Sequence, residues 1–246
     1  MPSRTLLVLV PTRGRPQAAR ELAEAFDATC GAATQLLLVV DHGDPSMSDY
    51  TALAAERDDD LVDVLVNPET PTMVGALNYA ASWALDQRPQ PDAIAFMGDD
   101  HRPRTTGWDA AYLQTLHTQP GMVFGTDLLQ GPDLPTQIAI STSVIETLGH
   151  MVPPDLVHLY ADNYWADLGR GAGCLTYLPD VIVEHLHPVT GKVPWSEGHR
   201  RVNTPEAYHR DREAYRAYRE AGQLQYDVEQ VREALARQHL SAWGAL

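Results

Sequence analysis

The sequence is short of cysteine, with only Cys30 and Cys174 among 246 residues. Their spacing is neither that of a CxxC pair nor that of a zinc motif. A disulfide framework is therefore not what organises the chain, and two free thiols are expected. Positive charge is also scarce: 18 Lys+Arg stand against 33 Asp+Glu, a net charge of −15. A field of that sign opposes nonspecific attachment to nucleic acid or to anionic lipid. A polyanionic substrate would need a local basic site or a bound cation. No apolar run approaches the roughly 20 residues of a membrane helix; the longest, 6–10 and 36–40, have the length of strands. The first runs straight into Pro11-Thr12-Arg13-Gly14-Arg15, which is not the form of a secretory signal. No membrane partner and a cytoplasmic location are the expectations.

Apolar residues make up 44% of the chain, and its length allows one large α/β domain with a substantial core or two small domains. Continuous apolar runs at 6–10 and 36–40, and similar stretches at 61–66 and 93–97, suit strands buried on both faces of a parallel sheet. Helix-like segments lie between them at 17–29, 48–57 and 72–85. In the first, Ala18, Leu22, Phe26 and Thr29 share a face, and Pro16 suits a first-turn position. Strands alternating with helices predict a doubly wound sheet. Beyond about 105 the pattern is less regular. It predicts a helix at 106–118, an extended stretch at 122–129 and a Gly/Pro-rich loop at 130–136. A short strand at 138–141 leads into a helix ending near Gly149. A further helix at 160–168 precedes a strand at 175–184, interrupted by Pro179. Residues 188–202, with Pro188, Gly191, Pro194 and Gly198 among charges, read as a mobile loop. From Thr204, a helix cap followed by Pro205, the chain reads as one or two surface helices.

Ligands of an open parallel sheet bind outside the carboxyl ends of its strands. The first strand is followed there by Pro11-Thr12-Arg13-Gly14-Arg15, the second by Asp41-His42-Gly43-Asp44, and the fourth by Gly98-Asp99-Asp100-His101. One basic loop beside two acidic ones suits a phosphate group bridged to carboxylates by a divalent metal. Each piece alone has a plainer reading: a turn or helix cap for the aspartates, surface charge for Arg13 and Arg15. Their shared place at strand ends is what favours a site.

These segments resemble the family-2-like GT-A glycosyltransferases. Residues 7–16, Leu-Val-Leu-Val-Pro-Thr-Arg-Gly-Arg-Pro, are similar to that family's opening strand and nucleotide loop, and 94–100, Ile-Ala-Phe-Met-Gly-Asp-Asp, to its strand ending in the DxD-type motif. Asp41 matches the acidic residue after the second strand, and Gly75-Ala76-Leu77-Asn78 the helix before the motif strand. The resemblance covers residues 5 to about 190 and is strongest in the first hundred. It implies a GT-A fold, Rossmann-like, with a mostly parallel central sheet, helices on both faces and a C-terminal helical extension. The implied division is a glycosyltransferase domain at 1–202, with a nucleotide-binding half at 1–101 and an acceptor half at 102–202, then the extension at 203–246.

Carried over by residue, the resemblance implies that Pro11, Thr12, Arg13, Arg15, Asp41, Asn78 and Asp99 contact a nucleotide-sugar. Thr12 and Asp41 would flank the base, Asp99 the ribose, and Arg13 or Arg15 the diphosphate. Asp100 would hold Mn2+ or Mg2+. The chain reads Gly-Asp-Asp-His where the family motif is Asp-x-Asp, which leaves the roles of Asp99 and Asp100 interchangeable. The family supplies a second ligand late in the fold, where this chain has Glu184-His185-Leu186-His187-Pro188: His187 is the first choice and His185 the second. The catalytic base falls on Asp162, at the start of the 160–168 helix, whose plainer reading is a helix N-cap. Trp108, Tyr164 and Trp165 either stack on the ligand or pack in the core. Expected partners are a UDP- or GDP-sugar and an acceptor among protein, glycan and, less favoured by the charge, modified DNA. A homodimer is compatible with the sequence. Compact enzymes of this look occur in bacteriophages, which would place this one in the host cytoplasm. A nucleotidyltransferase acting on sugar phosphates would want a Gly-rich, Lys/Arg-bearing first loop, and this loop has a single glycine, Gly14, and no lysine. Two more functions stay open on the same residues: a noncatalytic sugar-nucleotide or glycan-binding module, and a His-based metal hydrolase.

Overall fold

A computed structural model describes residues 5–57, 61–68 and 70–243. The apolar runs at the start become parallel strands, β1 (Thr5–Thr12), β2 (Ala33–Asp41), β3 (Val62–Asn67) and β4 (Ala93–Phe96). Helices α1 (Pro16–Thr29), α2 (Met47–Ala55) and α3 (Met73–Asp86) connect them. The second half adds β5 (His101–Pro103), α4 (Trp108–Thr118), β6 (Met122–Thr126), β7 (Ile138–Ser141), α5 (Thr142–Leu148), α6 (Ala161–Ala172) and β8 (Leu175–His185). After these come α7 (Glu197–Val202), α8 (Pro205–Glu220) and α9 (Gln223–Trp243). Among the described residues the sheet has eight strands in the order β3-β2-β1-β4-β7-β6-β8-β5. β7 runs antiparallel to both its neighbours, and β5 antiparallel to β8.

Alternation along the strands sorts the core into two layers. Leu7, Leu9, Leu37, Val39, Ile94 and Ile140 face α3, α5, α6, α8 and α9. Leu6, Val8, Leu36, Leu38, Ala95 and Val123 face α1, α2 and α4, where Phe26 and Trp108 meet edge to face at 5.3 Å between centroids. Both faces of β1, β2 and β4 are covered, which is why their central residues are apolar rather than alternating, whereas edge strand β3 carries an exposed Asp63 and Val66.

Four local details differ from the sequence-based expectation or sharpen it. The 175–184 strand keeps its pairing with β6 through a register shift: Gly125 pairs Leu178 and Thr126 pairs Ile182, so Pro179 falls in the bulge. Residues 188–202 are not loop throughout. They hold a 3-10 turn at Pro188–Thr190 and the helix α7, whose start is a capping box in which His199 takes the place usually held by Glu or Gln. The tail helices are not purely superficial, because Tyr215 and Tyr218 of α8 and Val228 and Val231 of α9 lie in the core beneath the sheet. Their apolar face recurs at helical spacing but is outnumbered by charge. Asp211, fully buried, anchors α8 by accepting the backbone N–H groups of His158 and Leu159. Finally, α1 buries Ala19 rather than Ala18 beside Leu22, Phe26 and Thr29.

No described helix is long and apolar enough to cross a membrane. Both cysteines are free, Cys30 half-buried and Cys174 buried.

Candidate functional site

Because β1, β2 and β4 run parallel, their carboxyl ends deliver Thr12, Asp41 and the turn after Phe96 to one rim. A cavity of about 900 Å3 opens there, lined by Pro11, Thr12, Arg13, Arg15, Asp41 and Asp99 among others. The loop after β1 is braced from α2 and the acidic loop. Tyr50 accepts the Arg15 N–H at 2.8 Å, and Asp44 accepts that of Gly14 at 3.0 Å, where φ is +63°. Thr12 donates to Asp99 Oδ2 at 2.7 Å. Asp41 is held between Arg13 Nη1 at 3.2 Å and the side-chain amide of Asn67 at 2.9 Å.

Asp99 and Asp100 sit in a tight turn closed by His101 N–H donating to the Gly98 carbonyl. A side chain at Gly98 would crowd the ligand atoms: a Cβ there would lie 2.6 Å from Asp100 Oδ1 and 3.2 Å from His101 Nδ1. The short antiparallel pairing of β5 with β8 sets His101 directly opposite His185, and their rings stack at 4.3 Å. His185 Nε2 and His101 Nδ1 each lie 3.6 Å from Asp100 Oδ1. These three residues offer ligand atoms within 4.8 Å of one another, the one such group among the described residues. His101 Nδ1 also accepts the Gly98 N–H at 2.9 Å, while His101 Nε2 and His185 Nδ1 are buried without a hydrogen-bond partner. On the other side of Asp100, His199 Nε2 approaches Oδ2 at 3.1 Å. Arg15 Nη1 lies 2.9 Å from Asp99 Oδ1 and 3.9 Å from Asp100 Oδ2.

The two neighbouring carboxylates are driven apart electrostatically. Burial pushes Asp99 up to about 6, against the pull of the Arg15 guanidinium. Asp100 is buried too, yet the imidazoles of His185 and His199 hold it well below the ordinary carboxylate range. Burial, reinforced by His185, lowers His101 to about 3 and keeps it neutral, as a metal ligand must be.

His187 stands beside this group rather than in it. Its Nδ1 accepts the Val189 N–H at 3.2 Å, and its ring is edge-on to His185 at 5.4 Å and to His199 at 5.5 Å. Asp162 lines the cavity from the first turn of α6. The N-cap is Tyr160, at φ +67°, and not Asp162, which accepts the N–H of Asn163 at 2.9 Å. Burial raises its pKa. Asp167 on the same helix is engaged with the Tyr215 hydroxyl at 2.7 Å. Asn78 is not brought to the cavity. Its amide accepts the N–H groups of Met151 and Val152 and donates to the Val152 carbonyl, bracing α3 against the chain after α5. Trp108, Tyr164 and Trp165 are buried in the core, with only Trp165 also lining the cavity.

Sequence reasoning missed His101 and His199 as neighbours of Asp100. The signal for His101 was its adjacency to the aspartates. For His199 it was Ser196-Glu197-Gly198-His199, a helix start hidden among prolines, glycines and charge.

No family model and no curated protein matches the chain. Solved structures do. The mannosyltransferase PcManGT from Pyrobaculum calidifontis, in complex with GDP-Man and Mn2+, superposes with a TM-score of 0.60 at 16% identity, over 98% of this chain and 79% of that one. TarS of S. aureus gives 0.56 at 14% identity over 75% of this chain, which spans only 37% of that one. GalNAc-T7 with UDP, GalNAc and Mn2+ gives 0.61 at 10% identity, over 75% of this chain and 43% of that one. At such low identities the likeness speaks for architecture alone: a mostly parallel central sheet between helices, in a GT-A-like fold.

Proposed function

We propose that the chain is a metal-dependent, family-2-like glycosyltransferase that moves a sugar from a UDP- or GDP-sugar to an acceptor hydroxyl with inversion. The carrying observation is convergence: Thr12, Arg13, Arg15, Asp41 and Asp99 line the same cavity as Asp100, His101 and His185, at the carboxyl rim of the sheet. That two structures of this fold were determined with Mn2+ and a guanosine or uridine nucleotide supports the donor class.

The donor atoms around Asp100 fit a divalent transition metal. One low-pKa carboxylate faces neutral imidazole, and Mg2+ prefers oxygen ligands alone, so Mn2+ is the better match. Asp100 and His185 would hold it, with His101 or His199 alongside. His101 would have to release the Gly98 N–H, and His187 would have to turn inward. Held there, Mn2+ would offset negative charge on a departing diphosphate. Arg15 and Arg13 supply further positive charge from the β1 loop. Thr12 and Asp41 bracket the base, and Asp99 faces the ribose. Asp162 accepts the proton of the acceptor hydroxyl as that oxygen attacks the sugar. Burial makes it a stronger base than a solvated aspartate.

The test is a screen of UDP-, GDP- and dTDP-sugars with Mn2+, reading free nucleotide release and the anomer of any product. Release from none of them, from a folded protein that binds UDP or GDP, would leave the noncatalytic binding module standing. Release of pyrophosphate from a nucleoside triphosphate and a sugar phosphate would identify a nucleotidyltransferase.

A further inference from the structure

Cations are few in this chain, and nearly all are engaged. Every described lysine and arginine side chain outside α7 meets a carboxylate or a backbone carbonyl, from the Arg13–Asp41 pair to Arg232 on the Gly171 carbonyl. The exceptions among the described residues are adjacent: Arg200 and Arg201, both exposed, have no such partner. Arg201 lines the cavity. With 33 acidic residues available, an arginine left unpaired at the mouth of a site is positioned for a charge that the protein does not itself supply.

The surroundings of Arg201 say which part of the ligand that charge belongs to. Arg201 and Arg210 both lie near enough to His158 to disfavour its protonated form, and burial already lowers it to about 4. His158 therefore adds a neutral imidazole to that wall and no charge of its own. It belongs to the segment Val157, His158, Leu159, Tyr160, which lines the cavity and runs directly into Asp162. Arg210 lines the cavity as well, with its Nε on Asp211 Oδ1 at 2.7 Å. Trp195 and Tyr208, one on each side of α7 in sequence, line the same cavity with 41% and 47% of their surface exposed. Exposed rings at a cavity mouth suit the apolar face of a sugar or polyol. The β1 loop has its own arginines, 13 and 15, for the phosphates of a nucleotide.

We infer that the acceptor is itself anionic, a sugar or polyol bearing a phosphate or carboxylate that Arg201 binds at the mouth of the cavity, with Arg210 beside it. This rests on the glycosyl-transfer reading for the word acceptor, though the anion site stands on its own observations.

The experiment uses the full chain with Mg2+, with and without UDP. Glucose 6-phosphate, glucuronate and glucose serve as probes in ligand-observed NMR, and UDP–Mg2+ affinity is measured in parallel by calorimetry. Glucose 6-phosphate and glucuronate should bind saturably and glucose far more weakly, the first probe testing phosphate and the second carboxylate as the anion. Arg201→Ala should weaken the anions about tenfold, which is what one charge-assisted hydrogen bond is worth. Arg201→Lys should recover part of the loss, and UDP affinity should not move in either variant. Equal binding of glucose and the anions overturns the proposal, as does anion binding that survives Arg201→Ala. A loss of UDP affinity in Arg201→Ala also overturns it, by making Arg201 a donor contact. Anion binding that depends on Arg201, in a protein that binds no nucleotide with or without metal, would sustain the anion site and sink the transferase reading instead.

Discussion

His199 Nε2 lies 3.1 Å from Asp100 Oδ2, so a short helix near residue 200 closes onto a strand-end carboxylate 99 positions earlier. The other ring nitrogen of His199 is 2.9 Å from Ser196 Oγ, inside the capping box that starts α7. One imidazole thus both begins the helix and fastens it to the site.

The metal group is testable through nucleotide affinity. UDP or GDP should bind tightly with Mn2+ and weakly after EDTA. Asp100→Asn, which preserves shape, should remove the metal-dependent part without lowering the melting temperature. His185→Ala should cost at least about tenfold in Mn2+ affinity, the scale on which metal sites respond to loss of a neighbouring group. His187→Ala should cost less, because its Nδ1 is engaged with Val189 and it stands outside the group around Asp100. Calorimetry with Mn2+ and UDP decides the order. A larger loss in His187→Ala would mean that the ring turns inward to become the ligand.

Gly98→Ala is a sharper probe, since it alters no ligand. The added methyl would press on Asp100 Oδ1 at 2.6 Å and on His101 Nδ1, displacing both from the metal group. Mn2+ affinity should drop while far-ultraviolet circular dichroism stays native. Retained affinity would show that the turn relaxes freely and that Gly98 is dispensable.

The segment 188–202 should respond to ligand. It lines the cavity through Val189, Trp195, Gly198, His199 and Arg201, and it is tied to the site through His199. Hydrogen exchange over these residues should slow when UDP and Mn2+ are added. Identical exchange in both states would make the segment a fixed wall.

Asp162→Asn should leave donor and metal affinity intact while transfer falls by roughly 10²–10⁴, the usual worth of general base catalysis. The pH dependence has a definite sign. Asp162 accepts a proton only when ionised, and burial raises its folded pKa, so the transfer rate rises with pH through that raised value. The acid limb should therefore lie above the ordinary aspartate value of about 3.9 and should be missing from the residual activity of Asp162→Asn. Near wild-type transfer by the variant would place the base elsewhere, and retention of anomeric configuration would end the single-displacement mechanism.

Where the sequence carries local information, it suffices. Uninterrupted apolar runs of strand length suit strands covered on both faces, and parallel strands put their following loops on one rim; Thr12, Asp41, Asp99 and Asp100 were legible on that ground. Helix starts at Thr204-Pro205 and a helix end at Gly149 were legible because caps are chemistry between near neighbours. The six-residue α7 and three-residue β5 were not, since neither is long enough to impose a period. What only the tertiary structure decided is pairing at a distance: β7 reversed between β4 and β6, His101 opposite His185, and His199 on Asp100. It also decided that Asn78 braces a backbone turn and that one face of the tail helices is core. Local propensity sets which segments become strand or helix, but which side chains meet across the sheet is set by packing of the whole chain, and no stretch of sequence carries that alone.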